Sequence, residues 1–372
     1  MPYTSINAQC NKIPVNLTFG IKAVGVIMQI ESDLLYESIT ERAPGRTLLS
    51  PKDFDFFGHK SVLVTGAGGS IGARIAEWLM QIPNVKVLMT DRDENALHSL
   101  SLDLSNTALF QNPDFELLDI RDATGVESVI GSFKPNYLIH CAALKHLSVL
   151  EKQPREAFLT NILGTNNLLR SAESANIDGF LNISTDKAAA PTSVLGYSKY
   201  IAEQLTSDYR DRTGKRFTSV RFGNVFNSRG SVIETFKHQI VNGLPITLTD
   251  SRVERYFMNT NEAAGLALKS LVLNAGGVHV LDMGEPILLL RIIENMQAHF
   301  GTNNPIVITG LRPGEKISEI LANTNEEVIA TEVSKVSTIS SPNFDCNWIK
   351  SEFPSTNDEA LALMLRFLSL SN

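Results

Sequence analysis

The sequence predicts an α/β fold, a doubly wound parallel sheet of the Rossmann type with a smaller α/β lobe attached. Three observations carry this. Short β-branched runs alternate with helical periods from Lys60 to Ser184, the first run ends in a glycine-rich turn, and an acid closes the second run.

Residues 1–58 come first and read as an N-terminal extension. They mix polar and apolar segments around the turn Ala43-Pro44-Gly45 and a second breaker at Pro51. This extension is expected to pack on the main domain or to mediate assembly. Ser61-Val62-Leu63-Val64-Thr65 is then a compact apolar run stopped by glycines, the first strand. Ile71 to Met80 carries Ile71, Ile75, Trp78 and Leu79 at a helical period. Val85 to Thr90 is the second strand, closed by Asp91; Phe115 to Asp119 is the third, Tyr137 to Cys141 the fourth and Gly179 to Ser184 the fifth. Strands that alternate with helices at this spacing pair in parallel, and ligands then bind at their carboxyl ends. After Val225 the pattern loosens into strand-like pieces at 246–249, 278–281 and 306–309 among helical ones.

Bulk properties narrow the class. The 372 residues are 43% apolar and 20% charged, ordinary for a soluble globular chain. A net charge of −7 opposes nucleic-acid or anionic-membrane binding. Cys10, Cys141 and Cys346 show no CxxC spacing and no paired histidines, so neither a metal nor a disulfide framework is expected, and a cytoplasmic location is the default. Cys141 reads as a small core residue. The run Ala23 to Met28 is too short and lacks the basic leader of a signal peptide. No run approaches the roughly 20 apolar residues that a membrane span needs.

Gly66, Gly69 and Gly72 follow a strand and open a helix. This context lets the first make a tight turn, the second admit a pyrophosphate to the backbone, and the third pack the helix closely. The helix N-terminus adds free N–H groups and a positive dipole end. Asp91, nineteen residues after Gly72, is placed to hold an adenosine ribose, which favours NAD. Arg92 beside it could hold a 2′-phosphate, which keeps NADP as the alternative. Asp119 and Ile120 would border the adenine, whereas Asp122 is equally readable as the N-cap of the next helix.

Ser184-Thr185-Asp186-Lys187 ends the fifth strand, and Lys199 follows twelve residues later in a helical stretch. Adjacent Asp186 and Lys187 can act as acid and base if burial and mutual influence push their pKa values apart. Alone, such a pair is an ordinary surface feature. Its place after the strand, with Lys199 in the next helix, carries the functional reading.

Thr65 to Gly72, Ser184 to Ala188 and Gly196-Tyr197-Ser198-Lys199 resemble the extended short-chain dehydrogenase/reductase superfamily. More narrowly they are similar to the UDP-N-acetylglucosamine 4,6-dehydratase group of the polysaccharide biosynthesis proteins. Further matching segments are Ala142 to His146, Arg221 to Val225, Arg229 to Ile233, Arg255 to Met258, Leu281 to Pro286 and Leu311 to Lys316, in order over roughly 59–325. Larger members of that family carry membrane spans ahead of this domain; none is read in this chain.

The resemblance implies a mechanism and roles. Hydride leaves C4 of the sugar for NAD, Lys187 removes the acidified C5 proton, Asp186 protonates the departing 6-hydroxyl, and hydride returns to C6. Thr185 would bond near the reacting hydroxyls and Lys199 would hold the nicotinamide ribose. Ser70, Ile71, Ala142 and Ala143 would line the cofactor. Arg229, Arg255 and Arg312 would surround a nucleotide-sugar diphosphate, a role that suits the planar guanidinium fork. Asn224 could donate to the same phosphates, and Lys145 and His146 border the sugar pocket, His146 either lining it or completing a hydrogen-bond network. Glu262 and Glu315 read as structural, a helix start and a loop anchor. A homo-oligomer is expected.

One departure is informative. Most of the superfamily has a tyrosine four residues before the lysine, on the same helix face, and here that position is Leu195. Tyr197 and Tyr200 are wrongly phased to replace it. The dehydratase branch that retains C5 configuration also carries an apolar residue there, so Leu195 aligns the chain with that branch. The base for the 4-hydroxyl is then Asp186, Lys187 or a water. A 4-epimerase or 4-reductase normally needs the tyrosine and does not need the Asp-Lys pair; a silent NAD-binding homologue would not need that pair either. The implied boundaries are a dinucleotide-binding domain over 59–222, to which about 250–282 return, a mainly substrate-binding lobe over 223–345, and a C-terminal helix or tail over 346–372.

Overall fold

The structure, a computed structural model, describes residues 32–45, 49–105, 114–273, 276–340 and 346–371. The readings made for Cys10 and for Ala23 to Met28 lie outside the described residues. Strands run in chain order β1 (Ser61–Thr65), β2 (Lys86–Asp91), β3 (Phe115–Leu117), β4 (Tyr137–His140), β5 (Gly179–Ile183) and β6 (Arg216–Arg221). They continue as β7 (Asn224–Val225), β8 (Ile246–Leu248), β9 (Glu254–Arg255), β10 (Phe257–Met258), β11 (Gly277–Leu281), β12 (Ile287–Leu288), β13 (Ile306–Ile308), β14 (Val328–Ala330) and β15 (Val336–Ile339).

One nine-stranded sheet has the order β3-β2-β1-β4-β5-β6-β11-β15-β14. It is parallel from β3 to β11. The two strands beyond β11 are antiparallel. The order reverses between β1 and β4, which opens a crevice at the carboxyl edge. Alternate side chains feed two cores, as a sheet covered on both faces requires. Val62, Val64, Ile139 and Leu181 face one core, with Phe57 and the helices Ser70–Leu79 and Thr260–Val272. Leu63, Leu138 and Phe180 face the other, with the helices Ala123–Phe133, Thr165–Ser174, Val194–Thr213 and Asn357–Ser371.

A third core lies in the smaller lobe, where Phe236, Ile240, Leu248, Phe257 and Ile292 pack together. Tyr36 and Ile39, from a helix over 32–40, belong to it. The extension therefore packs on both parts, because Phe57 from the helix Pro51–Phe57 enters the first sheet core. Pro51, read as a breaker, begins that helix, a position where its missing N–H costs nothing. The Asp53 carboxylate accepts from the Ser50 backbone N–H and hydroxyl and pairs with Lys269 at 2.7 Å, which fastens the segment to the sheet domain.

The third strand stops at Leu117, two residues short of the sequence reading, because Asp119 turns back to bond Arg121. For the central strand β6 the sequence placed Asn224 just past a strand but gave that strand no bounds. A strand buried on both faces normally runs apolar, but β6 buries Thr218, Ser219 and Arg221. Arg221 is fully buried and forks onto both oxygens of Glu203 and both of Glu326. These carboxylates drive its already high pKa higher against the pull of burial. Replacing Arg221 by Met strands two carboxylates, so unfolding in urea should show a loss of about 3–5 kcal/mol, the usual cost of breaking a buried pair. A loss below about 1 kcal/mol would mean that water already reaches the network.

Candidate active site

The glycine turn after β1 is shaped by close approach. Gly66 has φ 66°, and a Cβ there would lie 2.5 Å from the Ala142 backbone nitrogen. A Cβ on Gly72 would lie 2.3 Å from the Gly66 carbonyl oxygen. The loop thus rests against the end of β4, and the helix Ser70–Leu79 starts from Gly69 without a side-chain cap. Its first N–H groups face a cavity of about 770 Å³. Asp91 closes β2 and accepts from the Gly68 N–H at 3.0 Å and the Asp93 N–H at 3.1 Å, so it stiffens the loop as well as facing the cavity. Glycines that no side chain could replace and uncapped helix N–H groups fit a dinucleotide pyrophosphate.

Most of the sequence-assigned residues meet in this one cavity. Gly66, Gly69, Ser70, Ile71, Gly72, Asp91, Ala143, Lys145, His146, Thr185, Lys187, Lys199, Asn224, Arg229, Arg255 and Arg312 line it. Arg92 and Asp119 do not; they line a separate recess of about 670 Å³ with Leu117, Leu118 and Arg121. Ile120 is buried and packs against Gly164, so its side chain turns into the core. Ala142 supports Gly66 from beneath, and its neighbours Cys141 and Ala143 take the lining positions. Asp122 is the N-cap of the helix Ala123–Phe133, accepting from the Thr124 N–H at 3.1 Å.

The chemical groups stand where β5 ends. Thr185 Oγ1 donates to Asp186 Oδ1 at 2.8 Å, and Lys187 Nζ donates to the same oxygen at 3.1 Å. Asp186 is fully buried, and its Oδ2 has no hydrogen-bond partner among the described residues. Lys187 also pairs with Glu319 at 3.3 Å. Burial pulls the Lys187 ammonium down, but the carboxylates of Asp186 and Glu319 outweigh it and hold the pKa above its ordinary value. In the resting site Lys187 is charged.

The helix Val194–Thr213 begins at Ser193, whose side chain caps the Gly196 N–H at 3.1 Å. One turn apart, Leu195 and Lys199 face the cavity together. Tyr197 and Tyr200 pack against the second sheet core instead. No tyrosine therefore stands in for Leu195 among the described residues lining the cavity. Lys199 is buried with Asn182 Oδ1 3.5 Å from its Nζ, and desolvation drags its pKa down to about 8, with Glu203 resisting.

The arginines divide their work. Arg255 spends its donors on the carbonyls of Glu254, Lys316 and Ile317 and pairs with Glu315 at 3.6 Å; it clamps the loop after β13. Arg229 reaches the Gly68 carbonyl at 2.8 Å, which links the lobe to the glycine turn. Arg312 is exposed at the cavity rim, and its guanidinium has no hydrogen-bond partner among the described residues. Lys145 Nζ holds the Arg229 carbonyl at 2.5 Å, and His146 packs against Gly230. Glu315, read as a loop anchor, accepts from Thr249 and the Arg312 N–H and also lines the cavity. Glu262 sits in the first turn of its helix, capped by Asn259, and pairs with Lys335.

Three further cavity residues bear on the site. Cys141, read from the sequence as a small core residue, is only partly buried and lines the cavity, and desolvation of its thiol lifts the pKa to about 12, so it stays protonated. Ser184 donates to Glu203 at 2.5 Å and joins the site to the buried Arg221 network. Glu319 lies far along the chain; its only signal was its place three residues after Lys316 in a matching segment.

A parallel sheet with this crevice and this Lys199 defines the class, the short-chain dehydrogenase/reductase fold. The family model described as "Polysaccharide biosynthesis protein" matches residues 62–341, and the chain belongs to that family. It is 40% identical over 275 residues to the capsular polysaccharide biosynthesis protein CapD of Staphylococcus aureus, covering 72% of this chain and 46% of CapD. The chain thus spans about half the length of that curated relative. Among solved structures, Pen from Bacillus thuringiensis matches with a TM-score of 0.69 and 32% identity over 84% of this chain and 98% of Pen. A dTDP-glucose 4,6-dehydratase variant, DesIV of Streptomyces venezuelae, shares the fold at a TM-score of 0.62 and 20% identity, over 70% of this chain and 90% of DesIV. Among the described residues no helix is long and apolar enough to cross a membrane, and no cluster could hold a metal ion.

The Lys199 environment makes a pH prediction. Between about 8 and its ordinary 10.5 the unfolded chain holds a proton that the folded chain does not, so stability rises with pH across that window. Below both values the dependence vanishes. Urea unfolding of Lys199→Met at pH 8 and pH 10 should show that rise reduced, by on the order of 2–3 kcal/mol. An unchanged rise would assign it to other groups.

Proposed function

We propose that this chain is an NAD-dependent nucleotide-sugar 4,6-dehydratase, acting on UDP-N-acetylglucosamine and retaining configuration at C5. The observation that carries this is the Asp186–Lys187 pair, in which Lys187 lines the cavity beside Lys199 and Asp186 is buried directly behind it, at a site whose tyrosine position is Leu195. A 4-epimerase or 4-reductase normally needs a hydroxyl acid beside the lysine and does not need a second acid–base pair.

Gly66, Gly69 and Gly72, the N–H groups at Ser70 and Ile71, Asp91 and Lys199 would hold the dinucleotide. Bound there, NAD supplies an acceptor for hydride from C4 and the donor that returns it to C6. The 4-keto group so formed makes the C5 proton acidic. The resting ion pair must then become amine and carboxylic acid, which one proton passing from Lys187 Nζ to Asp186 over 3.1 Å achieves with no change in net charge. The Lys187 amine takes the C5 proton, the C6–oxygen bond breaks as C5=C6 forms, and Asp186 gives its proton to the departing hydroxide as water. Lys187 returns a proton to C5 when hydride reaches C6. Both members of the pair are used in this elimination, which leaves cavity water to accept the 4-hydroxyl proton, since Leu195 offers no base. Arg229 and Arg312 would meet the diphosphate at the rim, with Asn224, Lys145 and His146 around the sugar; Arg255 would act through the loop it clamps.

The purified protein incubated with UDP-N-acetylglucosamine should release a 4-keto-6-deoxy product, lighter by one water, visible by NMR and mass spectrometry. Lys187→Ala should lose at least about 10²-fold in rate, the range of a positioned acid–base group, and still retain dinucleotide. Product at the wild-type rate from Lys187→Ala, or no product from any N-acetylhexosamine nucleotide, would contradict the proposal.

A further inference from the structure

Lys187 is held from two sides, and the proposed chemistry uses only one of them. Glu319 Oε1 lies 3.3 Å from Lys187 Nζ, opposite an Asp186 oxygen at 3.1 Å. Both carboxylates are almost wholly removed from solvent, with side-chain exposures of 2% and 0%. The remaining oxygen of each, Glu319 Oε2 and Asp186 Oδ2, is buried without a hydrogen bond among the described residues. Burying a carboxylate with so few hydrogen bonds is costly, and only Lys187 and Lys316 offset that cost here. The fold nonetheless fixes it firmly. Arg255 grips the Lys316 and Ile317 carbonyls just before it, and Lys316 stands 3.5 Å from Glu319 Oε2.

We propose that Glu319 is a positioning residue for proton abstraction, which holds the Lys187 amine toward the substrate and stabilises the ammonium that forms there. The inference rests on the dehydratase reading. When the resting proton passes to Asp186, that contact stops being an ion pair, and Glu319 is the remaining anion that keeps Nζ in place. As the C5–H bond breaks, its proton becomes the third on Lys187 and positive charge develops 3.3 Å from Glu319. An interaction that strengthens only as that charge appears lowers the barrier and leaves substrate binding alone.

The test compares wild-type enzyme with Glu319→Gln, using UDP-N-acetylglucosamine carrying protium or deuterium at C5. In the glutamine variant kcat should fall by about tenfold or more with KM held within about twofold. Dinucleotide content should be unchanged and the C5 isotope effect on kcat should rise, because proton abstraction has become the slow step. Glu319→Asp, which keeps the charge, should recover part of kcat, and it carries the comparison if the glutamine variant does not fold. Wild-type kcat in Glu319→Gln would overturn the inference, as would a fall in kcat with an unchanged isotope effect or with lost dinucleotide, either of which marks a structural role. Wild-type enzyme that forms no 4-keto-6-deoxy product would sink the dehydratase reading itself; product formation beside an unimpaired Glu319→Gln would sink this inference alone.

Discussion

Charge balance at the end of β5 is the constraint on which the site depends. Asp186, Lys187 and Glu319 share a space nearly closed to solvent, and no one of them could be buried there alone. The three arrive on two separate pieces of chain. Asp186 and Lys187 come from the short helical turn Asp186–Ala188 after β5, and Glu319 comes from the loop that follows β13. Correct docking of the smaller lobe on the sheet is therefore a condition for neutralising Lys187. Arg255 enforces that docking through backbone carbonyls, and Arg229 enforces it again from the glycine turn.

A second buried charge network braces the same region from behind. Ser184, immediately before the reacting segment, is tied to Glu203, and Glu203 is tied through Arg221 to Glu326. Glu203 lies one turn beyond Lys199 on the helix that also carries Leu195, so strand, helix and lobe meet on one buried guanidinium. The helix face is kept, Lys199 still reaches the cavity, and only the proton-transfer group at the Leu195 position is absent.

Much of this was legible in the sequence, for reasons that differ by residue. Strands β1, β2, β4 and β5 announce themselves because parallel strands buried on both faces run nearly continuously apolar, with single polar residues such as His140 and Asn182 among them. The glycine turn and Asp91 are readable because backbone close approach, and a carboxylate that accepts from the turn's own Gly68 N–H, restrict residue choice at fixed spacing. The helical phase of Leu195, Tyr197 and Lys199 follows from 3.6 residues per turn. By contrast, β6 could be placed before Asn224 but not bounded, because its polar residues are satisfied by partners remote in sequence, Glu203 and Glu326 among them. Glu319 was hidden for the same reason, since nothing local distinguishes it from a surface glutamate 132 residues beyond Lys187. For Arg255 the motif is readable but the role is not, because the carbonyls that occupy its guanidinium belong to a loop whose path only the fold defines.

The central claim is that one site moves hydride within a single sugar while Asp186 and Lys187 expel water from it. The most direct measurement is the fate of a deuterium placed at C4 of UDP-N-acetylglucosamine, followed by NMR of the product. The label should appear on the C6 methyl group of a 4-keto sugar, transferred within the same molecule. Recovery of the label at C4, in the starting sugar or its 4-epimer, would contradict the claim.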